Sequence, residues 1–187
     1  ATVGERSVSV VLAPGRVGFT TFGEGVLLRD PYSDELREPT KADVADSARL
    51  ADALDCVDVY ERAIGAQDVP SEAGQLHNAE AALTNTTKHV FMGPYSGYLA
   101  RQVVRMAAAV AGSLEKLRER PLVSFITCPV SPLKLVRDTC EIIVEAARAG
   151  VACNILSMAM AGGSAPVTLA GTLVTHNAEV LAGITLS

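Results

Sequence analysis

LVSFITCPVSPLKLVRDTCEIIVEAARAG, residues 122–150, holds one complete strand–loop–helix unit of this chain. Leu122 to Thr127 is an apolar, β-branched run that reads as a buried strand. Pro129 and Pro132 interrupt it, because a proline cannot donate to a ladder. From Leu133 or Leu135 to Ala149 the apolar residues recur at helical spacing, and Gly150 stands where a left-handed C-cap belongs.

The same order extends in both directions. Upstream, Lys88 to Met92 reads as a strand broken by Gly93-Pro94, and a long helix starting at Ser96 or Gly97 runs towards Pro121. Before that, Val57 to Tyr60 is a short strand, followed by a helix from Ser71 to about Leu83. Thr40-Lys41-Ala42-Asp43 has the form of a capping box, and Val44, Ala48, Ala51 and Leu54 supply the apolar face of the helix it opens. Downstream, Val151 to Met160 reads as a fourth strand. Gly162-Gly163-Ser164-Ala165-Pro166 is the turn, and a last helix runs from about Val167 to the end. The strands begin near 57, 88, 122 and 151, a spacing of about 30 residues, which is one βα unit each. Units of this kind build a parallel sheet with right-handed crossovers.

Two α/β architectures compete. A doubly wound open sheet is complete at this length, whereas a (β/α)₈ TIM barrel needs about 250 residues, so this chain holds about four βα units of one. The absence of G-x-G-x-x-G counts against the dinucleotide-binding form of the open sheet. The first 39 residues have a different period. Ser7 to Leu12, Val17 to Phe22 and Val26 to Leu28 alternate around Pro14-Gly15 and Gly23-Glu24-Gly25, which predicts a small antiparallel β meander. The expected division is therefore a meander over 1–39 and half a barrel over 40–187.

Composition excludes several classes. The 187 residues carry 16 basic and 21 acidic side chains, a net charge of −5, with 49% hydrophobic residues. That is too apolar for a disordered chain and too acidic for a nucleic-acid binder. Between Ala149 and Ala178 there is no Asp, Glu, Lys or Arg, but the glycine turn cuts the stretch into pieces too short to span a bilayer. Cys56, Cys128, Cys140 and Cys153 match no C-x-x-C spacing, and Ala1 to Arg6 offers no signal-peptide core. Four reduced thiols in a cytoplasmic protein are expected.

In either architecture ligands gather at the carboxyl ends of the strands. Those ends carry Tyr60-Glu61-Arg62 with Gln67-Asp68, then Gly93 to Ser96, Thr127 to Pro132, and Ser157 to Ser164. The last three hold no acid, base or histidine. They offer no carboxylate pair, metal cluster or Ser–His–Asp set. The Gly162–Thr168 segment admits two readings. Its amides and the following helix N-terminus can cradle an anion, or it is a tight turn with Ser164 as N-cap and Pro166 at the first helical position. His89 at a strand start, His77 on a polar helix and His176 on the last helix each have an ordinary structural role. Cys128 has no nearby cation to activate it.

Several stretches resemble the trimethylamine methyltransferase family, which includes relatives that demethylate quaternary amines such as glycine betaine. They are Thr40 to Leu54 (TKADVADSARLADAL), Gln67-Asp68-Val69-Pro70, Cys128-Pro129-Val130-Ser131-Pro132-Leu133, Ala146 to Gly150 (AARAG) and, most specifically, Met160 to Leu186 (MAGGSAPVTLAGTLVTHNAEVLAGITL). The resemblance implies an internal portion of a longer TIM-barrel chain. It implies transfer of a methyl group from a methylated amine to the cobalt of a corrinoid (cobalamin) carried by a partner protein, and no corrinoid bound tightly by this chain. The family's pyrrolysine position lies beyond Ser187, and no family catalytic residue is carried over. A quaternary ammonium has no N–H and favours aromatic and thioether surfaces, so Tyr60, Tyr95, Met158 and Met160 are the candidate substrate-binding side chains. The amides of Gly163 and Ser164 are candidates for a substrate carboxylate. Expected partners are the corrinoid protein, a small methylated amine and a second copy of the chain, with no nucleic acid and no membrane. Two rivals remain: a barrel enzyme gripping a phosphate at the Gly162 loop, and a non-catalytic half-barrel that self-associates.

Overall fold

The computed structural model describes residues 13–187, so the expected strand at Ser7 to Leu12 lies outside the described residues. In chain order the elements are β1 (Leu28–Arg29), β2 (Leu36–Arg37), α1 (Lys41–Ala53), β3 (Val59–Glu61), α2 (Gly74–Leu83) and β4 (His89–Met92), followed by α3 (Gly97–Ala111), α4 (Leu114–Glu119), β5 (Val123–Thr127), α5 (Arg137–Ala149), β6 (Cys153–Ile155) and α6 (Leu169–Leu186).

Local chemistry sets the helix ends. The Thr40 hydroxyl accepts from the Asp43 amide, and the Asp43 carboxylate accepts from the Thr40 amide, so the capping box forms as read. At the other end of α1 no glycine cap is present. There the Lys88 ammonium, itself buried, donates to the carbonyls of Ala51 and Leu54 at 2.5 and 2.6 Å and satisfies the terminal acceptors. The helix expected to run unbroken to Pro121 is split. Gly112 turns left-handed (φ 95°), and Ser113 caps a new helix, α4, by accepting from the Lys116 amide. Gly150 ends α5 at φ 70°, as expected. Helix α2 starts at Gly74 because residues 71–73 form a turn, with the Ala73 amide bonded to the Pro70 carbonyl at 3.0 Å.

Strands β3, β4, β5 and β6 form one parallel sheet whose spatial order is the sequence order. Tyr60 pairs with Val90, Val90 with Val123, and Phe125 with Cys153. Residues alternate strictly between the two faces. Tyr60, Val90, Met92, Val123 and Phe125 are buried beneath the helices, where Ala48, Ala82, Val103, Ala107, Ile142 and Ala146 meet them. Small alanines on the helices let the layers approach closely. The opposite face, carrying Val59, Glu61, His89, Phe91, Ser124 and Ile126, is half-open. A doubly wound sheet reverses its strand order and buries both faces. Here the order runs in one direction, and α1, α2, α3 and α5 lie side by side on one face.

The amino-terminal region corrects the meander. Among the described residues of this region, antiparallel pairing is confined to β1 and β2, at Leu28 with Arg37 and Arg29 with Leu36. Residues 16–27 instead follow the outer edge of β3 in parallel, bridging at Thr20 to Val59 and Gly25 to Ile64. The cause is the edge itself: β3 presents unpaired donors and acceptors, and the passing segment satisfies them. The Asp58 amide donates to the Phe19 carbonyl at 2.8 Å, and the Gly25 amide donates to the Ala63 carbonyl at 2.9 Å. No strand among the described residues pairs with the far edge of β6.

The last strand is also shorter than its apolar run suggests. Only Cys153–Ile155 pairs, and Leu156 makes the final ladder-type bond to the Thr127 carbonyl at 3.1 Å. Helix α6 returns close over β6 because position 183 is glycine: a Cβ there would stand 2.7 Å from Ile155 Cδ1.

Candidate functional site

The carboxyl ends of the four strands form a rim with two unlike halves. At the ends of β3 and β4 the side chains are charged and mutually bonded. Arg62, 4% exposed, pairs through Nη2 with the Glu24 carboxylate, which arrives on the segment bordering β3. The same Glu24 oxygen accepts from the Tyr95 hydroxyl at 2.5 Å. Arg62 Nε is buried without an acceptor. Gln75, buried on α2, fixes the loop that carries Tyr95: its amide nitrogen donates to the Gly93 carbonyl at 2.6 Å, and its oxygen accepts from the Tyr95 amide at 2.7 Å. Burial, and then the adjacent Glu24, push the Tyr95 phenol above its ordinary pKa.

Glu61 ends β3 on the half-open face. Its carboxylate makes no hydrogen bond or ion pair among the described residues, while its backbone carbonyl accepts from the Thr21 hydroxyl. Burial raises its pKa.

At the ends of β5 and β6 the loops are uncharged, and one buried acid organises them. Glu179 on α6, 2% exposed, accepts from the Ser157 hydroxyl at 2.6 Å, the Ser131 hydroxyl at 2.7 Å and the Leu133 amide at 2.7 Å. Burial pushes this carboxyl up, but the three donors outweigh it and hold it below the usual glutamate range. Leu133 takes a left-handed φ of 57°, unfavourable for its branched side chain, and its bond to Glu179 offsets that cost. The Cys128 thiol here is raised by burial, and Cys153, at the start of β6, is pushed up to about 11, so neither is activated.

The side chains expected to bind substrate fall in three places. Tyr60 is a correction. It is fully buried on the helix side of β3, its hydroxyl 2.7 Å from Ser47 Oγ on α1, so it lines the core and not the rim. Parity explains this, since Tyr60 and Glu61 must point to opposite faces of one strand. Tyr95 stands on the rim, 62% exposed. Met158 and Met160 are exposed on the loop after β6. They are two strands from Tyr95, about 10 Å across the sheet at ordinary strand spacing.

Gly163 and Ser164 do not present free amides. Both donate to the Met160 carbonyl, at 3.0 and 3.1 Å, and the Ser164 hydroxyl accepts from the Met160 amide while donating to the Met158 carbonyl. The segment is a self-closed turn. The cap of α6 is Thr168, whose hydroxyl accepts from the Gly171 amide, not Ser164, and Pro166 precedes the helix altogether. The Ser164 hydroxyl is engaged within the turn itself, which leaves the cap to Thr168.

The polar residues that shape this rim, Glu24, Arg62, Gln75 and Glu179, were not singled out as site residues from the sequence. Glu179 had a legible signal, as the one Asp, Glu, Lys or Arg after Arg148. Glu24 and Arg62 are 38 positions apart and have no local signature. His89 is at the opposite end of the strands. Its Nδ1 donates to the Pro121 carbonyl at 3.1 Å and its Nε2 meets Ser124 Oγ at 2.6 Å, and burial lowers its pKa, which favours the neutral ring. A groove of about 420 Å³ lies on the outside between α3 and α5, lined by Arg101, Arg137, Glu141 and Glu145, far from the strand ends. Among the described residues no group of three or more His, Cys, Asp or Glu could hold a metal ion, and no helix is long and apolar enough to cross a membrane.

The family described as Trimethylamine methyltransferase (MTTB) matches residues 4–187. The chain belongs to that family. It is 51% identical to the trimethylamine methyltransferase of Desulfitobacterium hafniense over 178 residues, covering 95% of this chain and 36% of that protein. Its identity to a trimethylamine methyltransferase of Methanosarcina mazei is 41% over 182 residues, 94% of this chain and 36% of that protein. The glycine betaine methyltransferase of Desulfitobacterium hafniense is 36% identical over 122 residues, 65% of this chain and 25% of that protein. The chain thus spans about a third of the length of these family members.

Proposed function

We propose that this chain is part of a (β/α)₈-barrel methyltransferase that takes a methyl group from a methylated amine, trimethylamine or a quaternary amine such as glycine betaine, and delivers it to the corrinoid of a separate protein. Family membership and the names of the relatives support the reaction class. The one-directional parallel order, the single helix layer and the half-open opposite face support the barrel.

The reading of the substrate class rests on Glu61, which ends β3 on the half-open face, and on Tyr95, which follows the neighbouring strand β4 on the rim. A carboxylate with no partner among the described residues, on the half-open face, and a tethered aromatic ring on the rim suit a methylated ammonium, which can donate few or no hydrogen bonds. Glu61 supplies charge, Tyr95 a ring face, and Met158 and Met160 polarisable thioethers across the rim. These groups orient the cation and strip its water. When presented by its partner protein, the reduced corrinoid supplies the nucleophile that accepts the methyl group. The four free cysteines fit a cytoplasmic setting, and the bare edge of β6 fits association with further chain or a second copy.

The test is methylcobalamin formation, followed by absorbance, when the full-length protein is incubated with cob(I)alamin and a panel of methylated amines. Methylation with one amine is expected, and none with any amine overturns the proposal. The 187 residues alone should be inactive, since half the rim is missing. The phosphate-gripping alternative loses its cradle, because the Gly163 and Ser164 amides are already engaged.

A further inference from the structure

Arg62 is an unusual neighbour for a site that takes a cation. A guanidinium offers parallel donors that a carboxylate fills in pairs, yet Glu24 brings one oxygen to Nη2 and leaves Nε buried and bare. Glu24 itself is 40% exposed, between Gly23 at φ 112° and Gly25, on a segment tied to β3 only at its edge. Unmasked, Arg62 would repel a methylated ammonium and draw a carboxylate. Masked, it is neutralised, and Glu61 is left to set the sign of the field at the end of β3.

We propose that Glu24 is a specificity residue. By covering Arg62 it keeps the rim selective for methylated amines that carry no carboxylate, and without it the Arg62 fork becomes a carboxylate seat that admits betaine-type zwitterions. This rests on the amine-methyltransferase reading above. Tyr95 is the link between the two: its hydroxyl shares the masking oxygen, so the ring that faces the cation and the acid that hides the guanidinium are set by one contact.

The experiment is calorimetric titration of the full-length protein with tetramethylammonium and, separately, glycine betaine, in wild type, Glu24→Gln, Glu24→Asp and the double variant Glu24→Gln/Arg62→Met. Glu24→Gln should weaken tetramethylammonium about tenfold and tighten glycine betaine about tenfold, the scale of one charge changed near a partly desolvated site. Glu24→Asp should keep the wild-type ratio, and the double variant should lose the gain for betaine. Equal changes for both ligands, or a gain for betaine that persists without Arg62, overturn the proposal. Should Glu24→Gln fail to fold, a shifted ratio in Glu24→Asp would also overturn it. A ratio that changes as expected while no amine methylates cob(I)alamin would fault the reaction and leave the masking role standing. A wild-type protein that binds neither probe would overturn both.

Discussion

The two halves of the rim solve the same problem by opposite means. At β5 and β6 the loops are uncharged and held by one buried acid with three donors. At β3 and β4 a buried guanidinium, Arg62, is joined to the surface through a half-exposed glutamate, and one carboxylate, Glu61, has no partner among the described residues. The first half is rigid because its polar groups are satisfied internally. The second is responsive because some of its groups are not. A binding rim needs both, since an aromatic or thioether wall must stay in place while a charge waits for its counter-ion.

Breaking the clamp should give the largest effect. Glu179→Ala strands two hydroxyls and an amide in a buried site, and should cost about 3–5 kcal/mol in urea unfolding, with Glu179→Gln costing less. The β3–β4 end should be spared locally, with hydrogen exchange at Tyr95 rising only through global unfolding. Gly183→Val tests the same half by shape alone. Its new carbons meet Ile155 on a packed face, and a loss of about 1–3 kcal/mol is expected. Tyr95→Phe probes the other half. It removes the bond to Glu24 on an exposed side chain, so a change of at most about 1 kcal/mol in stability is expected, with tetramethylammonium binding retained because the ring remains.

Acidity should give the smallest and sharpest contrast. Glu179 is held below its unfolded value of 4.5, so its contribution is present above that pH and fades as pH falls through the folded value. Glu61 is raised above 4.5, so its carboxyl favours the folded state when protonated and that advantage is lost as pH rises through the folded value. The two halves should therefore show opposite slopes around pH 4 to 5, and Glu61→Gln should abolish one slope only, as read by urea titrations at stepped pH.

What was legible in the sequence was local. The Thr40–Asp43 capping box, the Gly150 stop and the regular recurrence of strands all depend on neighbours within a few residues. What was not legible depended on parity or on distance along the chain. Tyr60 moved from rim to core because a one-residue change in strand phase reverses the face. Residues 16–27 alternate like a meander strand, yet their partner is the edge of β3 about forty positions later, and no hairpin turn announces it. The Gly162 turn was found but its purpose changed, because both caps and anion cradles use the same glycines and hydroxyls.

The flank of β6 that pairs with no strand among the described residues has a practical corollary. Its backbone donors and acceptors are a template, and in a crowded cell extract the nearest extended peptide will zip onto it. Expressed by itself, the polypeptide should enter inclusion bodies, and a solubilising fusion should keep more of it in solution.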